Sequence, residues 1–544
     1  MKSVVSFVTL PNPNIYIYKK SDIIMKKESG GKKFWKEQER DIIVHGNKMN
    51  VVESCVLRHS IASPNRLALH FEDENSKAEE FDYLTLEKKM NKFSNYLKKA
   101  GAKKGDRIAL FLPKCPELYF SFFGILNSGC VAVPLFEAFQ ENGLELRLER
   151  GEINFIITNK ELEKRIDKKI RKMKSLKKII LIDDAKTKKE IDKQEEKNEM
   201  TLVDKKDTAV MMFTSSTAGT PVAGIEISHY ALVQQHYTAD LVLQLIPEDK
   251  YWCTAHPGWV TGTVYGILAP FSVGCSVFVL SGRFDGKKWA NFVLKNKISV
   301  LYTAPTALRL WKDDFGKKEI KNLKVLASVG EALPNSIFQK FKDFGLLITD
   351  TYWQTETGAI VIAGYEKEAR KAGSIGKAIP GISAKMKNGM IVLEKGFPGQ
   401  MTGIYKHEKM FKSYFDGKWF KTNDLAVKKG DLFYFEGRKD DIIKTSGERV
   451  SPLEIESILL KHPKIKEAAV IGIPDEIKGQ IIKAVIVLKE KEIENEKLKE
   501  EISEFVKKNY AGHSYPKVVE FVKELPKTNS GKIIRMKLRE KQNK

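Results

Sequence analysis

The pattern of apolar and polar positions divides the chain into alternating helices and strands. Leu86, Met90, Phe93 and Leu97 recur at helical spacing, Gly101 follows as a stop, and the apolar run RIALFLP is typical of a short buried strand. The same alternation recurs in YFSFFGILNSGCVAVPL, NFIITN, KKIILID, CSVFVL, ISVLYTAP and KVLASVG. Helices that alternate with buried strands predict an α/β fold with largely parallel sheets.

The length and a late change in pattern predict more than one domain. At 544 residues, the chain exceeds what one hydrophobic core usually supports. A compositional break falls at EGRKDDIIKTSGERV, followed by a helix from Pro452, the strands AAVIGI and KAVIVL, and a helix rich in lysine and glutamate. We therefore expect a large N-terminal domain and a small C-terminal one. The charged segment 185–200 is expected to be an exposed connection.

Composition narrows the class of protein. Hydrophobic residues make up 42% of the chain and charged residues 30%, which fits a globular protein and excludes global disorder. No apolar run approaches the roughly 20 residues that cross a bilayer, and two prolines interrupt the N-terminal stretch, so we expect a cytoplasmic protein without membrane contact. The cysteines lack CxxC spacing and are expected to be buried free thiols: Cys55, Cys115, Cys130, Cys253 and Cys275.

The net charge is compatible with three kinds of partner. Lys plus Arg number 93 against 70 Asp plus Glu, and the resulting +23 suits nucleic acid, an acidic membrane surface or polyanionic substrates such as ATP and CoA. The lysines are scattered along the chain, with no arginine-rich arm, zinc spacing or aromatic RNA-binding motif. Nucleic acid is therefore not expected, and a solvated lysine-rich surface that steers anionic substrates is favoured.

Two segments have the composition of a nucleotide site. FTSSTAGTPVAG, Phe213–Gly224, combines hydroxyls with glycines and suits a loop that binds phosphate oxygens, although it lacks the GK[ST] ending of a Walker A loop. DTYWQTETG, Asp350–Gly358, places Glu356, a hard oxygen ligand suited to Mg²⁺, among threonine hydroxyls. Taken alone, the first segment is better explained as an ordinary connecting loop, and the aromatic pair of the second as part of the core.

Two later segments carry cations in turn-rich sequence. EGRKDDIIKTSGERVSPLEIE combines Arg438 and Arg449 with paired aspartates, and PKTNSGKIIR presents Lys532 close to the C-terminus. A salt-bridged surface loop and a solvated lysine are the simpler explanations when each is considered separately. The four segments occur together in this order, however, and that combination is far less expected by chance.

In this combination the chain resembles the adenylate-forming superfamily of acyl-CoA synthetases, peptide-synthetase adenylation domains and luciferases, and most of all the shorter bacterial acetyl-CoA synthetases. The likeness runs from about residue 45 to the end and includes VPLFEAFQENGLELRLE, YWCTAHPGWVTGTVYGILAPF, APTALR, SVGEALP and SIGKAIPG. It implies an AMP-forming acetate–CoA ligase that converts ATP, acetate and CoA to AMP, diphosphate and acetyl-CoA through an enzyme-bound acetyl-adenylate. ATP, Mg²⁺ and CoA are the implied cofactors.

The resemblance also implies a division of labour between domains. Residues 1–437, with an extension over 1–45, would form the N-terminal domain that binds ATP and carboxylate. Residues 438–441 would form the hinge, pivoting at Asp440. Residues 442–544 would form a small mobile α+β domain that rotates between an adenylation pose and a thioester-forming pose, with Ser446 and Gly447 on the CoA side.

By the same resemblance, many residues face the nucleotide. Thr214 would act in catalysis at the phosphate loop, Asp424 would bind the ribose hydroxyls with help from Arg438, Arg449 would reach the phosphates, and Glu356 would act in catalysis as the Mg²⁺ ligand. The remaining implied nucleotide contacts are Ser215, Ser216, Thr217 and Gly219 in the phosphate loop, Gly330, Glu331 and Ala332 beside adenine, and Asp350, Thr351, Tyr352, Gln354 and Thr355.

Lys532 corresponds to the catalytic lysine that bridges the carboxylate and the α-phosphate in these enzymes. With an ordinary pKa of roughly 10.4, a lysine is cationic at neutral pH, so it would offset charge in the transition state and would transfer no proton. In relatives the matching lysine is acetylated. The resemblance therefore also implies a lysine acetyltransferase and a deacetylase as partners.

Trp353, with Val260 and Thr261, corresponds to the acyl pocket. In acetate-activating relatives the matching indole closes that pocket, whereas glycine there opens a tunnel for longer chains. Tryptophan at 353 therefore implies a short pocket. A tryptophan packed in the core is the simpler alternative.

Several positions depart from the family pattern TSGTTGxPKG and its neighbours. Ser216, Ala218, Val222 and Ala223 replace glycine, threonine, lysine and glycine of the phosphate loop. His256 replaces an aspartate, Ala332 a proline, and Asn423 a glycine, and asparagine tolerates the left-handed conformation. Two alternatives therefore stay open: a ligase for propionate or another short acid, and a catalytically weakened protein that binds nucleotide or acyl groups.

Overall fold

The computed structural model describes most of the chain between residues 31 and 540. The described residues are 31–214, 223–311, 314–330, 333–438, 443–446, 448–450, 452–489, 492, 494–510, 514–526 and 535–540.

A nine-stranded sheet forms the centre of the larger, N-terminal part of the molecule. Its strand order is Lys377–Ala378, Ile362–Ala363, Thr349–Tyr352, Val325–Ser328, Val300–Thr303, Lys250–Cys253, Ser276–Leu280, Leu67–Glu72 and Ala78–Asp82. The six strands from Thr349–Tyr352 to Leu67–Glu72 run parallel, and the pairs at both edges are antiparallel.

A seven-stranded sheet lies beside it. Its order is Gly403–Ile404, Ala223–Ser228, Thr208–Thr214, Val131–Leu135, Arg107–Phe111, Phe155–Thr158 and Lys178–Leu181. Neighbours from Thr208–Thr214 to Lys178–Leu181 are parallel, whereas Ala223–Ser228 pairs antiparallel on both sides. The predicted α/β fold with largely parallel sheets is confirmed.

The remaining sheets are mainly antiparallel. One contains Ala384–Lys387, Met390–Glu394, Trp419–Lys429, Phe415–Asp416 and Leu432–Arg438, and the strands Lys48–Met49 and Val203–Asp204 form a separate pair. The C-terminal sheet contains Glu448–Val450, Ile443–Thr445, Gly479–Leu488, Ile465–Asp475 and Val518–Phe521, the last of these parallel to its neighbour. This sheet and its helices form the expected smaller C-terminal domain.

Helices cover the sheets. In the N-terminal part they are Gly31–Gln38, Arg58–Ala62, Tyr83–Lys99, Pro116–Asn127, Glu141–Arg150, Lys160–Glu163, Lys168–Arg171, Ala185–Asp192, Leu232–Leu241, Val260–Thr263, Ala269–Val273, Gly286–Asn296, Pro305–Leu310, Asn335–Asp343 and Glu408–Ser413. In the C-terminal domain they are Pro452–Leu459, Glu496–Asn509 and Arg535–Glu540. No helix among the described ranges has the length and apolarity needed to cross a bilayer.

Local sequence explains where these helices begin. The Asp82 carboxylate accepts a hydrogen bond from Thr85 N at 2.7 Å and caps the helix predicted from its apolar spacing. Asp184 likewise caps Ala185–Asp192, which turns part of the charged connection into a helix none of whose residues is buried. The expectation of exposure for that segment is confirmed, although its first half is helical.

The nine-stranded sheet is buried on both faces. Tyr251 and Val300 belong to an apolar cluster that also contains Leu110 and Val210 of the seven-stranded sheet. Trp252, one residue from Tyr251, belongs to a different cluster on the opposite face, because successive strand residues point in opposite directions. All five cysteines are free and four of them are buried, Cys115 being partly exposed, as the sequence largely predicts.

Candidate active site

Two of the predicted site residues follow neighbouring parallel strands of the nine-stranded sheet. The strands Val325–Ser328 and Thr349–Tyr352 are neighbours, and Gly330 and Trp353 follow them in the chain. Ligands of α/β proteins bind at such carboxyl edges. Gly330 has a positive φ of 95°, so its expected place beside adenine uses a conformation that favours glycine.

Asp424 is held by two residues that the sequence also assigned to the nucleotide. Its carboxylate, 1% exposed, accepts hydrogen bonds on Oδ2 from Tyr352 Oη at 2.8 Å and from Gln354 Nε2 at 2.6 Å. Gln354 Nε2 also donates to Thr422 O at 2.9 Å. The carboxylate is therefore fixed in orientation before any ligand binds, as a contact to ribose hydroxyls requires.

The neighbourhood of Asp424 explains one departure from the family pattern. Asn423 adopts a φ of 57°, the left-handed conformation that the sequence analysis inferred for a position usually occupied by glycine. Arg438 is the antiparallel partner of Asp424 across the strand pair, which places the two expected ribose-binding residues side by side along the backbone.

Glu356 lies in a tight 3₁₀ turn, Thr355–Thr357, whose geometry is locally enforced. Gln354 N donates to Thr357 Oγ1 at 2.9 Å, and Met401 N donates to Glu356 O at 2.9 Å. Gly358 ends the turn with a φ of 59°, and a Cβ there would meet Gly399 O at 2.0 Å, so only glycine fits. The turn holds the carboxylate in one place.

The Glu356 carboxylate fits a divalent cation. It is 4% exposed; Oε1 accepts a hydrogen bond from Tyr414 Oη at 3.2 Å, and Oε2 has no hydrogen-bond partner among the described residues. A buried carboxylate oxygen without a partner is costly, and a bound cation removes that cost. No cluster of three His, Cys, Asp or Glu side chains accompanies it in the described part of the chain, so phosphate and water oxygens would complete a Mg²⁺ shell.

Trp353 is buried between two tyrosines. Its indole Nε1 donates to Tyr302 Oη at 3.1 Å, and its ring meets the Tyr265 ring edge-on at 5.1 Å between centroids. Val260 and Thr261 open the helical segment that continues to Tyr265. Among the expected acyl-pocket residues, Trp353 thus contacts Tyr265, and Val260 and Thr261 lie in the same helical segment as Tyr265.

His256 replaces a charged residue with a neutral one while keeping a hydrogen-bond acceptor. Nδ1 accepts from Gly258 N at 2.9 Å, so Nε2 carries the proton and donates to Leu112 O at 3.1 Å. Burial lowers the pKa of His256 to about 3. An aspartate carboxylate could also accept the Gly258 N–H. The replacement of aspartate by His256 therefore preserves the turn that precedes Val260.

The other predicted residues separate into three groups. Thr214 ends the strand Thr208–Thr214 opposite Ala223, and Asp350, Thr351 and Thr355 are buried near Trp353. Ser446 is an exposed residue of the C-terminal domain with a φ of 55°, and Arg449 lies in the short strand Glu448–Val450. Ser215, Ser216, Thr217, Gly219, Glu331, Ala332, Asp440, Gly447 and Lys532 lie outside the described residues.

Sequence reasoning missed three tyrosines that hold site residues: Tyr265, Tyr302 and Tyr414. Tyr302 stands in the apolar run ISVLYTAP, read only as a strand. A tyrosine near the carboxyl end of a predicted parallel strand was the available signal, because its hydroxyl needs a partner when buried. Tyr414 had no comparable signal, since its contact with Glu356 joins segments 58 positions apart.

Comparison with known proteins agrees with this geometry. The AMP-binding enzyme family matches residues 57–415, and the AMP-binding enzyme C-terminal domain matches residues 454–532. An acetyl-coenzyme A synthetase of Bacillus subtilis (strain 168) is 39% identical, with 90% of each chain covered. An uncharacterized acyl–CoA ligase of the same organism, YtcI, is 33% identical over 88% of this chain and 94% of that protein.

A solved structure extends the likeness to three dimensions. The crystal structure of a Brucella canis acyl-CoA synthetase superposes with a TM-score of 0.68 at 28% identity, covering 93% of this chain and 97% of that one. The matches to family models and to this structure therefore cover both domains of the chain. The chain belongs to the AMP-binding, adenylate-forming enzyme family and is an AMP-forming acid–CoA ligase.

Proposed function

We propose that this ligase is a cytoplasmic acetyl-CoA synthetase. Acetate, ATP and CoA would give acetyl-CoA, AMP and diphosphate through an enzyme-bound acetyl-adenylate. The observation that carries the proposal is Trp353, a bulky side chain that is 4% exposed and held by Tyr302 and Tyr265 at the expected acyl pocket. An indole fixed in this way leaves room for a short acid and excludes longer chains by steric contact.

The first half-reaction depends on positioning and charge. An acetate oxygen attacks the α-phosphorus of ATP, the bond from that phosphorus to the diphosphate oxygen breaks, and acetyl-adenylate stays bound. Asp424, fixed by Tyr352 and Gln354, would hold the ribose. Glu356 would hold Mg²⁺, which neutralises negative charge on the phosphates. Lys532 would add a fixed positive charge beside the reacting carboxylate.

The second half-reaction transfers the acetyl group. The CoA thiolate attacks the acetyl carbonyl, the bond to the AMP phosphate oxygen breaks, and AMP leaves. We assign residues 438–441 as the hinge around Asp440 that brings Ser446 and Gly447 toward CoA. Apolar side chains of both domains belong to one cluster, among them Leu144 and Val506. Two hydrogen bonds also join the domains at helix ends: Gln140 N donates to Tyr510 O at 2.7 Å and Asn142 Nδ2 to Asn509 O at 3.1 Å.

A variant at Lys532 tests the assignment of the two half-reactions. Lys532→Ala should abolish acetyl-adenylate formation from ATP and acetate, while largely sparing acetyl-CoA formation from supplied acetyl-adenylate. Acetylation of Lys532 by a lysine acetyltransferase should have the same effect, reversed by a deacetylase, because it removes the same charge. Equal loss of both half-reactions in Lys532→Ala would contradict this role.

The phosphate-loop departures give a test against a protein that binds without turnover. Restoring Val222→Lys with Ala223→Gly should raise the adenylation rate or lower the ATP concentration needed for half-maximal rate. Wild type that binds ATP and acetate yet forms no adenylate, together with a restored variant that does, would show that turnover has been lost from the natural chain.

A further inference from the structure

A directed chain of hydrogen bonds runs from the indole of Trp353 into the sheet. Tyr302 Oη lies 3.1 Å from Trp353 Nε1 and 2.7 Å from Thr351 Oγ1, and Thr351 Oγ1 lies 2.7 Å from Ser328 O. Every member is buried, with exposures of 4% for Trp353, 0% for Tyr302, 4% for Thr351 and 0% for Ser328.

The chemistry of the groups fixes the direction of this chain. A backbone carbonyl only accepts, so Thr351 uses its proton on Ser328 O. Tyr302 must then donate its own proton to Thr351 Oγ1, which leaves the Tyr302 oxygen to accept from the indole N–H. Burial raises the pKa of Tyr302 well above its ordinary value, which keeps this proton in place.

The Tyr302 oxygen is therefore the acceptor that holds the indole. If Trp353 swung toward another rotamer, its N–H would lose this partner inside a buried site, which is unfavourable. Tyr265 restrains the same ring from the side and meets Tyr302 edge-on at 5.4 Å, while its own Oη is occupied by Thr238 Oγ1 at 2.7 Å and by Ile360 N at 2.8 Å.

We propose that Tyr302 is a positioning residue that sets the length of the acid accepted, by holding the Trp353 indole across the acyl pocket. This inference rests on the proposed short-acid function and names the residue that enforces it. Tyr302 itself need not touch the substrate. Its hydroxyl acts through Trp353, and the ring of Tyr302 serves only to fill its place in the core.

Tyr302→Phe tests the proposal, because it keeps the ring and removes the hydroxyl that accepts from the indole and donates to Thr351. The preference for acetate over butyrate, taken as the ratio of their kcat/KM values, should fall about tenfold, the usual effect of one buried hydrogen bond lost. KM for acetate should rise while KM for ATP stays unchanged. An unaltered preference in a folded Tyr302→Phe protein would overturn the proposal.

Tyr83→Phe is the matched control. Tyr83 is also 0% exposed, and its hydroxyl donates to Cys275 O at 3.1 Å in a different part of the core. Both variants lose one buried hydroxyl, which makes two hydrogen bonds in Tyr302 and one in Tyr83. Both melting temperatures should therefore fall, that of Tyr302→Phe somewhat further. Only Tyr302→Phe should change the preference among acids. A change of equal size in Tyr83→Phe would mean that any loss of core stability alters the preference, and it would overturn the proposal.

A double-mutant cycle with Trp353→Phe isolates the bond itself. Trp353→Phe keeps an aromatic ring and removes the indole N–H. It therefore still tests the hydrogen bond if Tyr302→Phe fails to fold. Each single variant should shift the preference toward longer acids, and the double variant should shift it little further. Independent, additive shifts, or an unchanged preference in Trp353→Phe, would overturn the proposal.

The same measurements separate this inference from the proposed function. Wild type that prefers hexanoate to acetate would refute the short-acid function, whereas coupled shifts of Tyr302 and Trp353 would still support the positioning role. Wild type that prefers acetate, with a preference that Tyr302→Phe leaves intact, would refute only the role of Tyr302.

Discussion

Two tryptophan-containing regions of the same sheet are equally buried but are held in different ways. On one face, Trp311 packs with Trp252 and Trp289, stacks on Phe315 at 4.0 Å, and donates its N–H to the backbone oxygen of Gly286 at 2.8 Å. We call this the aromatic cluster. At the carboxyl edge, Trp353 donates instead to the side-chain oxygen of Tyr302.

The difference concerns what surrounds each indole. The aromatic cluster is apolar, and the acceptor for Trp311 is supplied by the backbone. At the site edge, buried polar side chains bond to one another, as Tyr352 does to Asp424 and Ser328 does to Asp350 at 2.6 Å. Such bonds cost more to assemble in a core, and they fix the positions of groups that we propose to contact a ligand. Burial alone therefore does not distinguish a structural tryptophan from a functional one.

The largest expected effect falls on the aromatic cluster. Trp311→Ala should destabilise the fold by about 3–5 kcal/mol because it leaves a large cavity in an apolar core. The preference among acids should stay as in wild type, since within the described ranges no hydrogen bond links the aromatic cluster to Trp353 or Glu356. Chemical denaturation gives the stability, and kcat/KM ratios for acetate and butyrate give the preference. A changed acetate-to-butyrate ratio would contradict the distinction between the aromatic cluster and the region around Trp353.

Glu356→Gln should act in the opposite way. Loss of the cation ligand should lower the rate of adenylate formation about 10²–10³-fold, the usual size for removing one group that stabilises developing charge. Stability should hold or rise, because an unpaired buried charge is removed. Glu72→Gln is the control: this buried carboxylate pairs with Lys295 at 3.1 Å on a strand that four others separate from Thr349–Tyr352. The variant should lose stability with little change in rate. A Glu356→Gln enzyme with the wild-type rate would show that Glu356 is no ligand.

Trp353→Gly should change preference more than stability. Activity on acetate should fall because a small acyl group loses its packing surface, while butyrate and longer acids should gain roughly 10–200-fold relative to acetate, as expected for methylene-sized differences in a pocket. The measurement is kcat/KM for acetate through octanoate beside a melting curve. Proportionate loss on all acids would place Trp353 with the aromatic cluster as a structural residue.

Over the range from pH 7 to pH 5, the smallest expected effect is the pH dependence of His256. Its pKa lies at about 3 in the fold, against an ordinary value near 6.5, so the unfolded chain binds more protons between these values. Stability from this group is present above pH 6.5 and is lost as the pH falls toward 3, by at most about 1.4 kcal/mol per pH unit.

A variant identifies the contribution of His256 to this acid sensitivity. His256→Asn keeps an acceptor for Gly258 N–H but cannot protonate, so its stability between pH 7 and pH 5 should decline less steeply than that of wild type. His229, whose pKa burial lowers to about 4, will add a similar slope in both proteins. Identical slopes with and without His256 would contradict its assignment as a neutral buried residue.

The sequence predicted elements and residue types better than it predicted contacts. Periodicity identified the helix Tyr83–Lys99 and the strand Arg107–Phe111, because both depend on neighbours along the chain. The motif at 350–358, read with the family resemblance, predicts Glu356, Trp353 and Gln354 as site residues, and their roles stay predictions. The left-handed conformation inferred for Asn423 is confirmed by its φ of 57°.

These sequence patterns could not predict contacts between segments that are distant along the chain. The Tyr302–Trp353 hydrogen bond spans 51 positions and the Tyr352–Asp424 bond spans 72, and neither leaves a periodic trace. His256 shows the same limit. Its replacement of an aspartate does not reveal which ring atoms the fold uses: Nδ1 accepts the Gly258 N–H, and Nε2 donates to Leu112 O.

The most direct test of the central claim is diphosphate release by purified wild-type protein with ATP, Mg²⁺ and CoA, measured separately for acetate, propionate, butyrate, hexanoate and octanoate. Acetate should have the highest kcat/KM, propionate should follow within roughly 10–200-fold, and longer acids should be poor substrates because the fixed indole of Trp353 excludes them. A preference for hexanoate or octanoate over acetate would contradict the account.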